Sequence, residues 1–211
     1  MEDVANSEYE RLGVSPTPDE GTRLTAPRWD ESTRPHRKPS GAEVSYSEQG
    51  RAAGQHLIDV HDMLRRELGE LRDLVAQVRD GRLDAGAARS SLHEMALRQN
   101  DWTLGAFCSR YCRVVAQHHG LEDESIFPHL RRSERGLEPV IDRLAQEHLV
   151  IHGAIEGVDK ALVHHINHPE DFGPLQEAID VLTDTLLSHL SYEEHELVEP
   201  LARLGFYPGQ I

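Results

Sequence analysis

Little in this chain suits a membrane, a disulfide scaffold or a nucleic acid. No apolar run reaches transmembrane length, and Met1-Glu2-Asp3 is acidic where a secretory leader carries basic residues before an apolar stretch. The expected location is cytoplasmic. Cysteine is nearly absent: there are 2 in 211 residues, Cys108 and Cys112. They stand four apart on one predicted helix, where the restrictive geometry of a disulfide is poorly met, and a reducing compartment disfavours one further. Both are expected to be reduced thiols that pack a helix. Positive charge is also short, with 22 Lys and Arg against 37 Asp and Glu, for a net −15. A surface this acidic argues against nucleic acid and anionic membrane as partners.

Apolar residues make up only 38% of the chain, and residues 1–42 explain part of that shortage, holding five of the 11 prolines. Helical periodicity is slight there beyond Ser7 to Val14. This tail is expected to be disordered, with no partner that its residues identify. Residues 43–211 then form one domain of ordinary size.

Histidine is what the chain has in quantity, with 14 in all, and several fall on apolar stripes of helical period. In the first stripe Leu57, His61, Leu64, Leu68, Leu71 and Val75 step by three or four. In the second, Leu104, Phe107, Tyr111, Val115, His118 and Glu122 do so, while His119 points about 100° away from His118. The third runs through Ile141, Leu144, His148, Ile151 or His152, Ile155 and Leu162, with the two histidines four apart. The fourth helix carries two neighbouring lines, one ending at His189 and the other passing Leu190, Glu194, Leu197 and Leu201. Tyr111 is the polar exception among the packing residues, expected to pack with its hydroxyl near the bundle surface.

The pattern predicts an all-α, antiparallel four-helix bundle. Between His118 and His148 the midpoint falls in the polar turn Arg131-Arg132-Ser133-Glu134-Arg135-Gly136. Between His148/His152 and His189 it falls in the loop from His165 to Pro174. Both pairs therefore meet at matched depth. His61 lies about 20 residues from the turn at Asp80-Gly81 and His118 about 35, so an extra short helix is expected from about Ala85 to Arg98, before the second core helix.

One histidine in a core is ordinarily a hydrogen-bonded packing residue. Seven ligand-type side chains at matched depth, His61, His118, Glu122, His148, His152, His189 and Glu194, instead imply a metal, and their number implies two ions. Imidazole with carboxylate and no thiolate suits iron, manganese or zinc. A ferritin-like carboxylate bundle would use Glu-x-x-His on two helices, and that motif is absent. The remaining histidines have plainer readings. His164, His165 and His168 suit a solvated helix end, His36 belongs to the tail, and His56, His93, His119, His129 and His195 are expected at the surface or beside the ligands.

Three strings carry a family resemblance: His118-His119-Gly120-Leu121-Glu122-Asp123-Glu124-Ser125-Ile126-Phe127-Pro128, Glu147-His148-Leu149-Val150-Ile151-His152 and His189-Leu190-Ser191-Tyr192-Glu193-Glu194. Over about residues 50 to 203 the chain resembles the hemerythrins and the wider hemerythrin-like HHE cation-binding domains. Through Arg98 to Cys108 it looks closest to those of actinobacteria. The resemblance implies an oxo- or hydroxo-bridged di-iron centre. His148, His152 and His189 would hold one iron, His61 and His118 the other, and Glu122 and Glu194 would bridge. Helical geometry favours Glu193 beside His189; the family's His-x4-acid spacing, and six residues to Pro200 as from Glu122 to Pro128, favour Glu194. The implied function is binding of dioxygen, peroxide or nitric oxide. A di-iron enzyme that degrades peroxide or oxidises a substrate, and an iron- or redox-sensing interaction module, stay open beside it.

Overall fold

The computed structural model describes residues 2–19, 21, 24, 27–40, 44–80 and 104–211, with side chains from Ser7 and, after the interruption, from Tyr111. Its elements are α1 (Glu2–Leu12), α2 (Glu48–Arg79), α3 (Leu104–Leu121), α4 (Phe127–Ser133), α5 (Glu138–Asn167) and α6 (Gly173–Leu204), and no strand occurs among the described residues. The helix expected at 85–98 lies outside those residues.

The helix starts follow local chemistry. Ser47 caps α2 by accepting a hydrogen bond from the Gly50 amide at 2.9 Å. Pro139 and Pro174 sit in the first turns of α5 and α6, where a missing N–H costs nothing. Between α3 and α4 the helix does not stop but widens into a π-helical turn, Glu122–Ile126, a feature that often marks functional positions in helices. No described helix is long and apolar enough to cross a membrane.

Helices α2, α3, α5 and α6 form the four-helix bundle, α6 packing against both α2 and α5 and α3 against both α2 and α5. Helices α2 and α6 approach closely at two glycines. A Cβ on Gly50 would stand 2.1 Å from the Ala202 carbonyl oxygen, and one on Gly54 2.9 Å from that of Val198. The apolar interior is split into two clusters. One contains Leu64, Tyr111, Val115, Ile151, Leu186 and Leu190; the other contains Leu57, Ile126, Leu144, Leu197 and Leu201. In every bundle helix the ligand-type residues fall at the step between the two clusters, so they form one polar layer across the bundle.

The described part of the segment expected to be disordered is packed on the bundle instead. Tyr9, Leu12 and Val14 join the second cluster, and the described residues between Val14 and Ser40 lie along α6 as a strap. The reason lies in α6, whose side away from the bundle is polar. Asp184 accepts from the Leu24 amide at 2.8 Å, Ser188 donates to Glu31 at 2.5 Å, Ser191 donates to the Thr17 carbonyl at 2.9 Å and Tyr192 to that of Pro35 at 2.6 Å. Proline-rich backbone with few internal hydrogen bonds has its polar groups free for such partners.

Candidate metal centre

Four helices and the π turn converge on the polar layer. Among the described residues two groups have ligand atoms within 4.8 Å of one another: His119, His148 and His189, and His61, His118, Glu122 and Glu193. The two carboxylates connect the groups. Glu122 Oε1 lies 3.2 Å from His118 Nε2 and its Oε2 lies 3.6 Å from His148 Nε2. Glu193 Oε2 lies 3.6 Å from His61 Nε2 and 3.4 Å from His189 Nε2. Helix α3 straddles the layer with adjacent residues, the His118 ring 5.1 Å from that of His61 and the His119 ring stacked 4.0 Å from that of His148.

The protein alone leaves this layer unsatisfied. Both nitrogens of His119, both oxygens of Glu122 and of Glu193, and Nε2 of His148 and of His189 are buried without a well-formed hydrogen bond. Leaving one such group unpaired costs about 1–3 kcal/mol, and a charged one more, so a cluster facing one point calls for a common partner. The electrostatics give that partner a sign. Burial and then the Glu193 charge push the Glu122 carboxyl well above the usual carboxylate range. Burial would raise Glu193 too, but His189, 3.4 Å away, and the neighbouring His61 hold it below the usual carboxylate range. Burial and His61 depress His118 to about 3, and burial leads in depressing His119 and His148. Neutral imidazoles around paired carboxylates are the donor set that a divalent or trivalent cation takes. The residues fit a metal.

The far nitrogens of three histidines are anchored to carboxylates. His61 Nδ1 lies 2.9 Å from Glu194 Oε1, His148 Nδ1 3.0 Å from Asp123 Oδ1 and His189 Nδ1 3.1 Å from Glu147 Oε2. Each contact favours the tautomer that presents a bare Nε2 to the layer and sharpens the ring's basicity. Glu147 is itself held by Arg34, Nε to Oε1 at 2.9 Å and the NH2 nitrogen to Oε2 at 3.0 Å, and by Arg143 at 2.8 Å. Although burial opposes it, bonding to His189 and Arg34 brings Glu147 down to about 2. His189 moves the other way: burial would lower it, but Glu147 and Glu193 raise it, so a cation at Nε2 competes with a proton there.

Of the seven residues singled out by periodicity and resemblance, the structure brings together His61, His118, Glu122, His148 and His189. His152 and Glu194 lie outside both groups. His152 is half-buried, its ring 6.0 Å from that of His119. Glu194 is buried but engaged: Oε1 takes His61 at 2.9 Å and Arg65 at 2.7 Å, while Oε2 accepts from the Thr17 amide at 2.7 Å. The two groups contain His119 and Glu193 instead. His119, expected off the stripe, is fully buried because the direction from α3 into the layer falls between His118 and His119 rather than along His118. Glu193 is the acid that regular helical rotation puts beside His189. Tyr111, expected to reach the surface, is buried with its hydroxyl 3.4 Å from the Leu64 carbonyl. The supporting acids Asp123 and Glu147 were not singled out; the available signal was an acid directly beside a ligand-type residue, Asp123 after Glu122 and Glu147 before His148.

Comparison with solved structures and with characterised proteins finds no match. A family model does match, described as the hemerythrin HHE cation binding domain, over residues 53–201, which span α2 to the last turns of α6 and so contain every member of the two groups. The chain belongs to the hemerythrin HHE cation-binding domain family.

Proposed function

We propose that this protein is a non-haem di-iron protein that binds dioxygen or a related small oxidant, peroxide or nitric oxide, at the histidine and carboxylate layer. The observation that carries the reading is the pair of buried carboxylates, each within reach of a histidine from both groups and each without a well-formed hydrogen bond among the described residues. One metal position has His119, His148 and His189; the other has His61 and His118; Glu122 and Glu193 belong to both. Iron bound there would supply the electrons and Lewis acidity that small-oxidant chemistry requires.

The chain's own residues favour the two-histidine side as the entry. That position has one histidine fewer, and His118 is its rim, with 12% of its side chain exposed while the other six are at most 1% exposed apart from His119, which is wholly buried as a residue. Around that side Leu57, Leu64, Val115 and the ring of Tyr111 are buried, and they keep bulk water from the layer. Glu194 and Arg65 orient His61 from behind, so its Nε2 keeps its direction.

Protein produced in iron-replete medium should contain two irons per chain. Its absorption spectrum should change on exposure to dioxygen and return when the gas is removed. One ion per chain, or stoichiometric zinc, sinks the di-iron reading; sustained consumption of added peroxide without a reversible gas spectrum moves the assignment to the enzymatic alternative.

A further inference from the structure

We propose that the N-terminal strap is a working part of the metal centre, with Arg34 and Thr17 as positioning residues, one for each metal position. The inference rests on the metal-binding reading above. Arg34 lies in the strap, 113 residues from Glu147, and grips both oxygens of the carboxylate that holds His189. Arg34 is 9% exposed, and its guanidinium also lies over the Tyr192 ring, 4.5 Å from the centroid. Thr17, 177 residues from Glu194, donates its amide to the carboxylate that holds His61. His189 belongs to the three-histidine group and His61 to the two-histidine group, so one strap reaches a histidine of each through one intervening carboxylate.

These bonds are two of several polar links that hold the strap on α5 and α6. A cavity of about 480 Å³ lies between it and α6, lined by Arg34, His36, Arg37 and Tyr192 among others, so much of that contact is polar bonding rather than close packing. A carboxylate that has lost one of its partners turns more freely, and the imidazole it holds turns with it. Changes at such outer partners typically cost 10–100-fold in metal affinity. Coupling between two binding events is reciprocal: if the docked strap tightens metal, bound metal tightens the strap by the same factor.

Full-length protein loaded with ferrous iron tests this by iron release to a chelator and by trypsin cleavage after Arg28, an exposed strap residue. Arg34→Gln should release iron about tenfold faster from the three-histidine position, resolved from the other by Mössbauer spectra, with Arg34→Lys intermediate. Thr17→Pro, which removes the amide donor, should instead speed release from the two-histidine position. In the wild type, cleavage after Arg28 should be about tenfold slower with iron than without. Equal loosening of both positions in each variant, or release and cleavage rates unchanged by variant and by iron, overturns the proposal while leaving the metal reading intact. A wild type that takes up no iron overturns both.

Discussion

At the residue scale the centre turns on which of two adjacent side chains faces inward, and it does so twice. His118 and His119 both enter the layer from α3, one towards α2 and the other towards α5 and α6. On α6 the neighbours divide the work: Glu193 faces both histidine groups, while Glu194 turns to His61 Nδ1, Arg65 and the strap. His119→Ala should therefore lower iron content from two per chain to about one, and His152→Ala should leave it near two. Glu193→Ala should cost both irons because it serves both positions, whereas Glu194→Ala should weaken binding by about 10–100-fold without abolishing it. Elemental analysis after dialysis against a weak chelator ranks all four. Iron lost equally from the His152 and His119 variants would mean that the geometry of α5 differs from that described.

At the scale of the element, α2 and α6 show how the layer is held together. Gly50 faces the Ala202 carbonyl with no room for a Cβ, 2.1 Å being far inside contact distance. Gly69, on the same helix, has nothing within 4 Å of the same position. One substitution should thus have opposite signs at the two places. Gly50→Ala should force the helices apart and cost about 1–3 kcal/mol, while Gly69→Ala should gain up to about 1 kcal/mol from helix propensity. Thermal unfolding of the two variants checks this, at roughly 2–4 °C per kcal/mol for a chain of this size. A Gly50→Ala protein as stable as the wild type would show that α2 and α6 do not meet closely.

On the scale of the whole molecule, a buried polar layer divides the interior, and its unsatisfied nitrogens and oxygens weaken the metal-free fold. Bound metal should raise stability by mass action, about 4 kcal/mol when free metal stands a thousandfold above the dissociation constant. For this chain that corresponds to a melting temperature about 10 °C higher. Calorimetry of iron-loaded and chelator-treated protein measures it, and equal melting temperatures would deny the layer a metal. The strap adds a second whole-molecule feature, since it closes the outer side of α6 and turns that helix into the central one.

Periodicity alone was enough for the bundle, because apolar positions repeating every three or four residues have to be buried on one side. His61, His118, Glu122, His148 and His189 were legible for the same reason: each interrupts an apolar stripe, and the loops between the second, third and fourth stripes place those interruptions at a matched depth. Helical rotation favoured Glu193 while the family spacing favoured Glu194, and the stripes could not decide whether His119 joins His118 or whether Ile151 or His152 faces inward. A helix can rotate several tens of degrees while keeping its stripe buried, and only packing against α2, α5 and α6 fixes whether His119 or His152, Glu193 or Glu194, reaches the layer. The strap was further from view. It has no period, and its bonds join residues such as Thr17 and Arg34 to Glu194 and Glu147, more than a hundred positions away. Those pairings exist only once the bundle has turned the polar side of α6 outward, which is why tertiary structure decided them.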